Sequence, residues 1–163
     1  MSAFIDRLRR QADNRGMMAN LRCVLVDNKK HRAWPALNRI SVNVTNDVDA
    51  LIAGLFATHP EETQTGNFGT TCKVIESRRG DKRSDDNKLT PTERRFQHLL
   101  SAEKGDELYQ RVTRMVIMAK SQGVPVNYEQ LAIDLRRWAD RTKIEWAAAF
   151  WTPGTQPAAE EDL

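Results

Sequence analysis

The chain has 163 residues, enough for one domain or two closely packed lobes. Its apolar fraction of 40% supplies a core and leaves much of the surface to water, while the formal net charge is +3. No run approaches the roughly 18 apolar residues that mark a spanning helix, and the N-terminal MSAFIDRLRRQADNRG lacks an apolar stretch, so secretion and membrane insertion are disfavoured and the cytoplasm is expected. Cys23 and Cys72 fit no metal-ligand spacing and no disulfide framework, and read as reduced thiols. Three of the 22 acids and none of the 25 bases fall in the terminal GTQPAAEEDL, so the remainder carries +6. Between Arg7 and Arg39 nine bases face only Asp13 and Asp27, a local excess of +7 that points to a polyanionic partner.

Taken in order, AFIDRLRRQA over 3–12 predicts a short helix with Phe4, Ile5, Leu8 and Ala12 inward. Gly16 is expected to separate it from a second helix, Met17 to about Val26, which buries Met18, Leu21, Val24 and Leu25. Arg22 lies within that apolar pattern, where an arginine reaches out along its stem or pairs with something specific. Residues 27–32 read as a polar turn. Trp34, preceding Pro35, should be extended, with Pro35 opening a helical turn that ends near Ile40. SVNVT alternates like a strand but has no partner, and reads as a connector. Asp47 is expected to cap a helix burying Val48, Leu51, Ile52, Leu55 and Phe56, ended by Pro60. TQTGNFGTT is a glycine-containing loop, with tight backbone approach or a helix start expected between Phe68 and Val74. From Glu76 to Lys88 no apolar residue occurs, which predicts a mobile charged loop.

The C-terminal half is better marked. Thr90, Pro91 and Glu93 stand at the N-cap, N1 and N3 of a helix burying Phe96, Leu99 and Leu100. Leu108, Val112, Met115, Val116 and Ala119 form one helical face, stopped at Gly123 and Pro125. Asn127 with Gln130 makes a capping-box pattern for a helix repeating Tyr128, Leu131, Ala132, Leu135, Trp138 and Ala139. Its opposite face, Gln130, Asp134, Arg137 and Arg141, reads as a polar stripe. A last helix is expected to set Ile144, Ala147, Ala148 and Trp151 on one side, beside Trp146 and Phe150. The prediction is an all-α, compact helical bundle of about seven to nine helices in one lobe or two packed lobes. It occupies residues 1–151 as a single domain with a mobile 76–88 loop, followed by a disordered acidic tail over 152–163.

Chemistry is hard to find in this pattern. His31, His59 and His98 lie in separate segments outside any metal motif, and His31 and His59 sit at a turn and a helix end, where a solvated ring is expected. The paired acids Glu61–Glu62, Asp85–Asp86 and Glu160–Glu161 fall in loops or the tail, with little to bury them and shift their pKa values. No nucleophile motif, metal cluster or cofactor fingerprint occurs, so no catalytic residue, metal or cofactor is expected. What remains is basic residues on helices. Arg136, Arg137, Arg141 and Lys143 flank Trp138, with Asp134, Asp140 and Glu145 in pairing range. Lysines and arginines grip phosphates without reading sequence, so the implied binding is sequence-tolerant and salt-sensitive.

Several segments together resemble the CasB family, the small subunit of the type I-E CRISPR surveillance complex, Cascade. The landmarks are Ala19-Asn20-Leu21-Arg22, Trp34-Pro35-Ala36-Leu37, Ala53-Gly54-Leu55-Phe56-Ala57-Thr58-His59 and Thr65 to Thr70 around GNFG. Glu93-Arg94-Arg95-Phe96-Gln97-His98-Leu99-Leu100, GVPVNYEQLAIDLRRW and EWAAAFW complete the set, which covers about residues 4–151. The resemblance implies an all-α protein without enzymatic activity that pairs with a second copy and with other Cascade subunits. It also implies contact with guide RNA and target DNA, chiefly the displaced single strand, which steadies the R-loop. Carried onto this chain, Arg22, Lys29, Lys30 and Arg32 are the leading binding positions, and Arg141 and Lys143 match the family's basic pair after its Trp-containing helix. Arg39, Arg114 and Arg137 are further candidates. The alternative is a helical adaptor whose basic face meets acidic protein or guide-RNA backbone.

Overall fold

A computed structural model describes residues 3–82, 85 and 87–152. Among them the chain forms nine α-helices: α1 (Ala3–Arg10), α2 (Arg15–Arg22), α3 (Trp34–Arg39), α4 (Asp47–Thr58), α5 (Phe68–Arg79), α6 (Pro91–Leu100), α7 (Asp106–Gln122), α8 (Tyr128–Arg136) and α9 (Asp140–Phe150). Two 3-10 segments, Cys23–Leu25 and Asp27–Arg32, join α2 to α3. The described residues contain no strand, only one isolated parallel bridge between Glu62 and Val126.

Helix α4 is apolar almost all round, and such a helix has to be interior. Val48 and every residue from Ala50 to Ala57 are buried. It packs against α2, the Cys23–Leu25 segment, α7 and α8, while α5 packs against α6, α7 and α9. One continuous cluster of buried side chains runs through both groups, from Phe4 to Phe150. The all-α bundle follows from this packing, and its helix number agrees with the periodicity.

Side-chain caps set most helix starts. Thr90 and Glu93 form the expected reciprocal box on α6, Thr90 N to Glu93 Oε1 at 2.8 Å and Glu93 N to Thr90 Oγ1 at 3.0 Å. Asn67 and Thr70 form a second box on α5. Asn127 accepts from Gln130 N at 3.1 Å, but the Gln130 amide turns forward to Asp134 Oδ1 at 2.9 Å, so only half of that expected box exists. Gly123 ends α7 in the left-handed conformation, φ 67°, as the sequence predicts.

Other expectations need correction. Gly16 lies inside the first turn of α2, which Asn14 caps, and that helix tightens into 3-10 geometry after Arg22 instead of running to Val26. The polar turn over 27–32 is itself 3-10 wound. Trp34 is the first residue of α3, not extended, because Ala33 has already entered the helical region and Pro35 tolerates a first turn. Asn46, not Asp47, caps α4. Helix α5 continues through Glu76 to Arg79, ending at left-handed Gly80, so the expected charged loop begins four residues late. Its backbone there is tied down: Glu76 Oε2 accepts from the Thr90 hydroxyl, and Arg78 Nη1 donates to the carbonyls of Gln122 and Gly123, at the end of α7. Helix α8 stops at Arg136, leaving Trp138 and Ala139 outside it. On α9 the buried face is Thr142, Trp146 and Phe150, while Ile144 is 66% exposed. Residues 83, 84 and 86 of the charged loop, and the acidic tail from 153 onward, lie outside the described residues.

Candidate nucleic-acid interface

Arg22 closes α2, and its Nε donates to the carbonyl of Ala57 at 2.9 Å, anchoring the side chain against the last turn of α4. Lys29, Lys30 and Arg32 stand exposed on the second 3-10 segment, and Arg39 is exposed at the end of α3. Lys30 Nζ lies 3.6 Å from Asp27. Among the described residues no carboxylate reaches ion-pair distance of Arg22, Lys29, Arg32 or Arg39. Two of the basic residues upstream are engaged elsewhere. Arg9 is held by Asp6 (2.6 Å), Glu62 (2.9 Å) and Glu129 (2.7 Å), and the hydrogen bonds it donates to Glu62 and then Glu129 push its pKa above the usual arginine range. Arg7 Nε donates to Ile40 O at 2.7 Å. Arg9 is thus neutralised by its carboxylates, whereas exposed Arg10 and Arg15 have no described carboxylate at ion-pair distance.

The second predicted group gathers at the turn between α8 and α9. Arg137 is exposed, and its carbonyl accepts from the Thr142 hydroxyl at 3.0 Å. Lys143 Nζ sits 5.7 Å from the centre of the Trp138 ring, a cation–π contact, and that indole donates to Ala102 O at 2.9 Å. Arg141 pairs with Glu145 at 3.4 Å on a well-solvated surface, which is a weak interaction. Two more cations belong here. Arg136 binds Asp49 at 2.6 Å, and Lys104 donates to Arg136 O at 3.1 Å.

Arg114 and Lys30, remote in sequence, line one groove of about 350 Å³. Its walls come from the two 3-10 segments, the start of α3, the connector after it, and the first halves of α4 and α7. Asp27, Asp47 and Asp106 line it as well. Tyr109, in the same wall, has its pKa raised by burial and then by the charges of Asp47 and Asp106.

Helix α4 orders these groups. Arg22 is anchored at Ala57, Val24 and Leu25 lie beside Gly54, Lys30 shares the groove with Ala50 and Leu51, and Arg136 is bound at Asp49. At 1.5 Å per residue, the Arg22 and Arg136 anchors stand about 12 Å apart along the helix. Arg22 thus stands at the Thr58 end of α4 with no carboxylate partner, while Lys30 and Arg136 stand toward the Asp47 end, beside aspartates.

The family model for CRISPR-associated protein Cse2 matches residues 7–151. The chain belongs to the Cse2 family. Its fold is similar to that of a Cse2-family CRISPR-associated protein from Thermus thermophilus, with a TM-score of 0.71, 18% identity, and 91% of this chain and 95% of that chain covered. A structure of CasB from Thermus thermophilus gives a TM-score of 0.69 at 19% identity over 91% of this chain and 95% of that one. CasB from M. ruber gives 0.67 at 22% identity over 98% and 94%. At such identities the likeness is one of fold. No match was found among curated proteins.

In this Cse2-family chain two buried polar residues escaped the sequence reading. His59, expected to be solvated, is 4% exposed and its Nε2 lies 2.6 Å from Val124 O, a carbonyl that can only accept, so this nitrogen carries the hydrogen. Asp134, expected on a polar stripe, is buried and accepts from Trp146 Nε1 at 2.8 Å. Both serve packing. Among the basic residues, Arg136 and Lys104 were not among the expected binding positions; their partners lie 87 and 32 residues away, and no local pattern announces them. Among the described residues no cluster of three or more histidines, cysteines or acids could hold a metal, and no helix is long and apolar enough to cross a membrane.

Proposed function

We propose that this Cse2-family protein is the non-catalytic small subunit of a type I-E Cascade complex, which holds the displaced non-target strand and so stabilises the R-loop. The observation that carries the reading is the run of exposed cations Arg22, Lys29, Arg32 and Arg39, which no described carboxylate neutralises. A single strand presents flexible phosphates, and a cationic track grips them whatever the bases. Exchange of a DNA duplex for a guide–target hybrid is nearly balanced, so modest contacts to the extruded strand decide whether the open state persists. Lys30, Arg141 and Lys143 contribute less, since Lys30 and Arg141 each pair with a carboxylate and Lys143 lies over an aromatic ring, while the exposed Arg114 and Arg137 lie outside the run, on α7 and just after α8. Guide RNA, other Cascade subunits and a second copy of the chain complete its partners. The test is a triple reversal, Arg22→Glu, Lys29→Glu and Arg32→Glu, in the assembled complex. The displaced strand should become accessible to a single-strand-specific nuclease while the helical circular dichroism is unchanged. Undiminished strand protection rejects the proposal.

The adaptor reading gains from one feature. The groove holding Lys30 and Arg114 carries three aspartates, which disfavour a phosphate there.

A further inference from the structure

We propose that this groove is the docking site for a basic segment of a partner protein, one that presents an arginine or lysine next to a large apolar side chain. The inference rests on the reading of the chain as a subunit of a larger assembly. Trp34 lies 51% exposed at the groove, with Val44 45% exposed in its wall and Val26 43% exposed on the link between the two 3-10 segments. Among the described residues these are three of the few large apolar side chains left open, and Trp34 and Val44 line the same groove. Trp34 is also held in place. Its helix is seated by buried Ala36 and Leu37, and the His31 ring meets it edge-on, 6.3 Å between centres at 73°. An aromatic ring fixed before binding loses little freedom on binding, as interface anchors require.

Charge selects the occupant. Asp27, Asp47 and Asp106 outnumber Lys30 and Arg114 in the lining, and Lys30 is already turned toward Asp27. Tyr109, whose ionisation Asp47 and Asp106 oppose, reports the negative character of that wall. A phosphate would meet carboxylates there. A guanidinium or ammonium would meet them favourably and could lie over the Trp34 face. Leu25, Leu37 and Leu51 offer the apolar wall that a neighbouring aliphatic or aromatic side chain would cover.

The experiment places a photo-crosslinking benzophenone amino acid at position 44 and assembles the protein with the other subunits and guide RNA of its own complex. The crosslinked residue is then identified by mass spectrometry. In parallel, Trp34→Ala and Val44→Gln, both at exposed sites, are compared with the wild type for subunit occupancy in the purified complex and for single-stranded DNA binding by the free protein. The expected result is a crosslink to a protein segment containing an arginine or lysine beside an apolar residue. Both variants should lower affinity for the complex at least tenfold and leave DNA affinity within twofold. A crosslink to nucleic acid, DNA binding lost in step with occupancy, or unchanged occupancy overturns the docking proposal and leaves the strand-holding reading intact. The expected occupancy losses, in a complex whose wild-type form protects no displaced strand, overturn the strand-holding reading alone. A wild-type chain that joins no complex overturns both.

Discussion

At Gly69 the backbone of α5 lies against the backbone of α9 with no space between them. A β-carbon built there would come within 2.0 Å of the Trp146 carbonyl oxygen. A backbone atom cannot swing aside, so Gly69→Ala must part the two helices. The expected cost is about 3 kcal/mol, the upper part of the overpacking range, or a fall of roughly 6–12 °C in Tm for a chain of this length. Gly80→Ala supplies the contrast: nothing lies within 4 Å, and only the left-handed φ of 68° is strained, for about 1 kcal/mol. Thermal unfolding of the two variants should separate steric from conformational cost, and equal Tm values would refute the packing argument. The glycine pair in GNFG already suggested close backbone approach. Its partner, Trp146, lies 77 residues further on, and nothing local could name it. The same holds for Arg9, whose carboxylates Glu62 and Glu129 come 53 and 120 residues later, and for Asp134, which accepts from the Trp146 indole on the next helix as well as from Gln130.

Helix starts were legible where a side chain caps the backbone, as at Thr90, because a cap is a local rule. Helix ends and faces were less so. The apolar spacing in α9 fits two faces, and the choice of Trp146 over Ile144 is made by Phe68 and Trp138, whose rings lie 5.3 and 4.9 Å from Trp146 between centres. Helix α8 illustrates how one element secures another. Its first residue, Tyr128, is buried, and the hydroxyl donates to His59 O at 2.5 Å with Leu55 O at 3.2 Å, closing the carbonyl end of α4. Burial, and secondarily Glu62, raises the Tyr128 pKa well above that of a free tyrosine. The unfolded hydroxyl ionises near pH 10, so above that pH the unfolded chain releases a proton that the folded chain keeps. This contribution to stability is complete below about pH 10 and is lost as pH rises, by up to about 1.4 kcal/mol per pH unit. Tyr128→Phe should cost about 1 kcal/mol at pH 8, the net worth of its hydrogen bond. The gap between variant and wild type should then close by about pH 11 in urea unfolding. A gap that stays constant would mean that Tyr128 does not titrate differently in the two states.

For the molecule as a whole, the bundle turns a sequence-wide excess of positive charge into one graded by carboxylate pairing, absent at Arg22, Lys29, Arg32 and Arg39 and close at Arg9 and Arg136. The composition showed the excess but could not say which cations have carboxylate neighbours, since Asp49 reaches Arg136 across 87 residues and Glu129 reaches Arg9 across 120. The grading has a measurable consequence for free protein binding a single-stranded oligonucleotide. Each cation that contacts a phosphate releases counterions, and for single strands log affinity falls with log salt by about 0.7 per contact. If Arg22, Lys29, Arg32 and Arg39 each contact one phosphate, the slope should be about −3, and each change to Gln should make it shallower by about 0.7. Arg136→Gln and Arg9→Gln should leave the slope where it is, because Asp49, Glu62 and Glu129 already neutralise those charges. Each substitution removes one positive charge, so a nonspecific attraction to the protein's overall charge would make the slope shallower alike in both sets. Only a strand held by the four cations without carboxylate partners separates them.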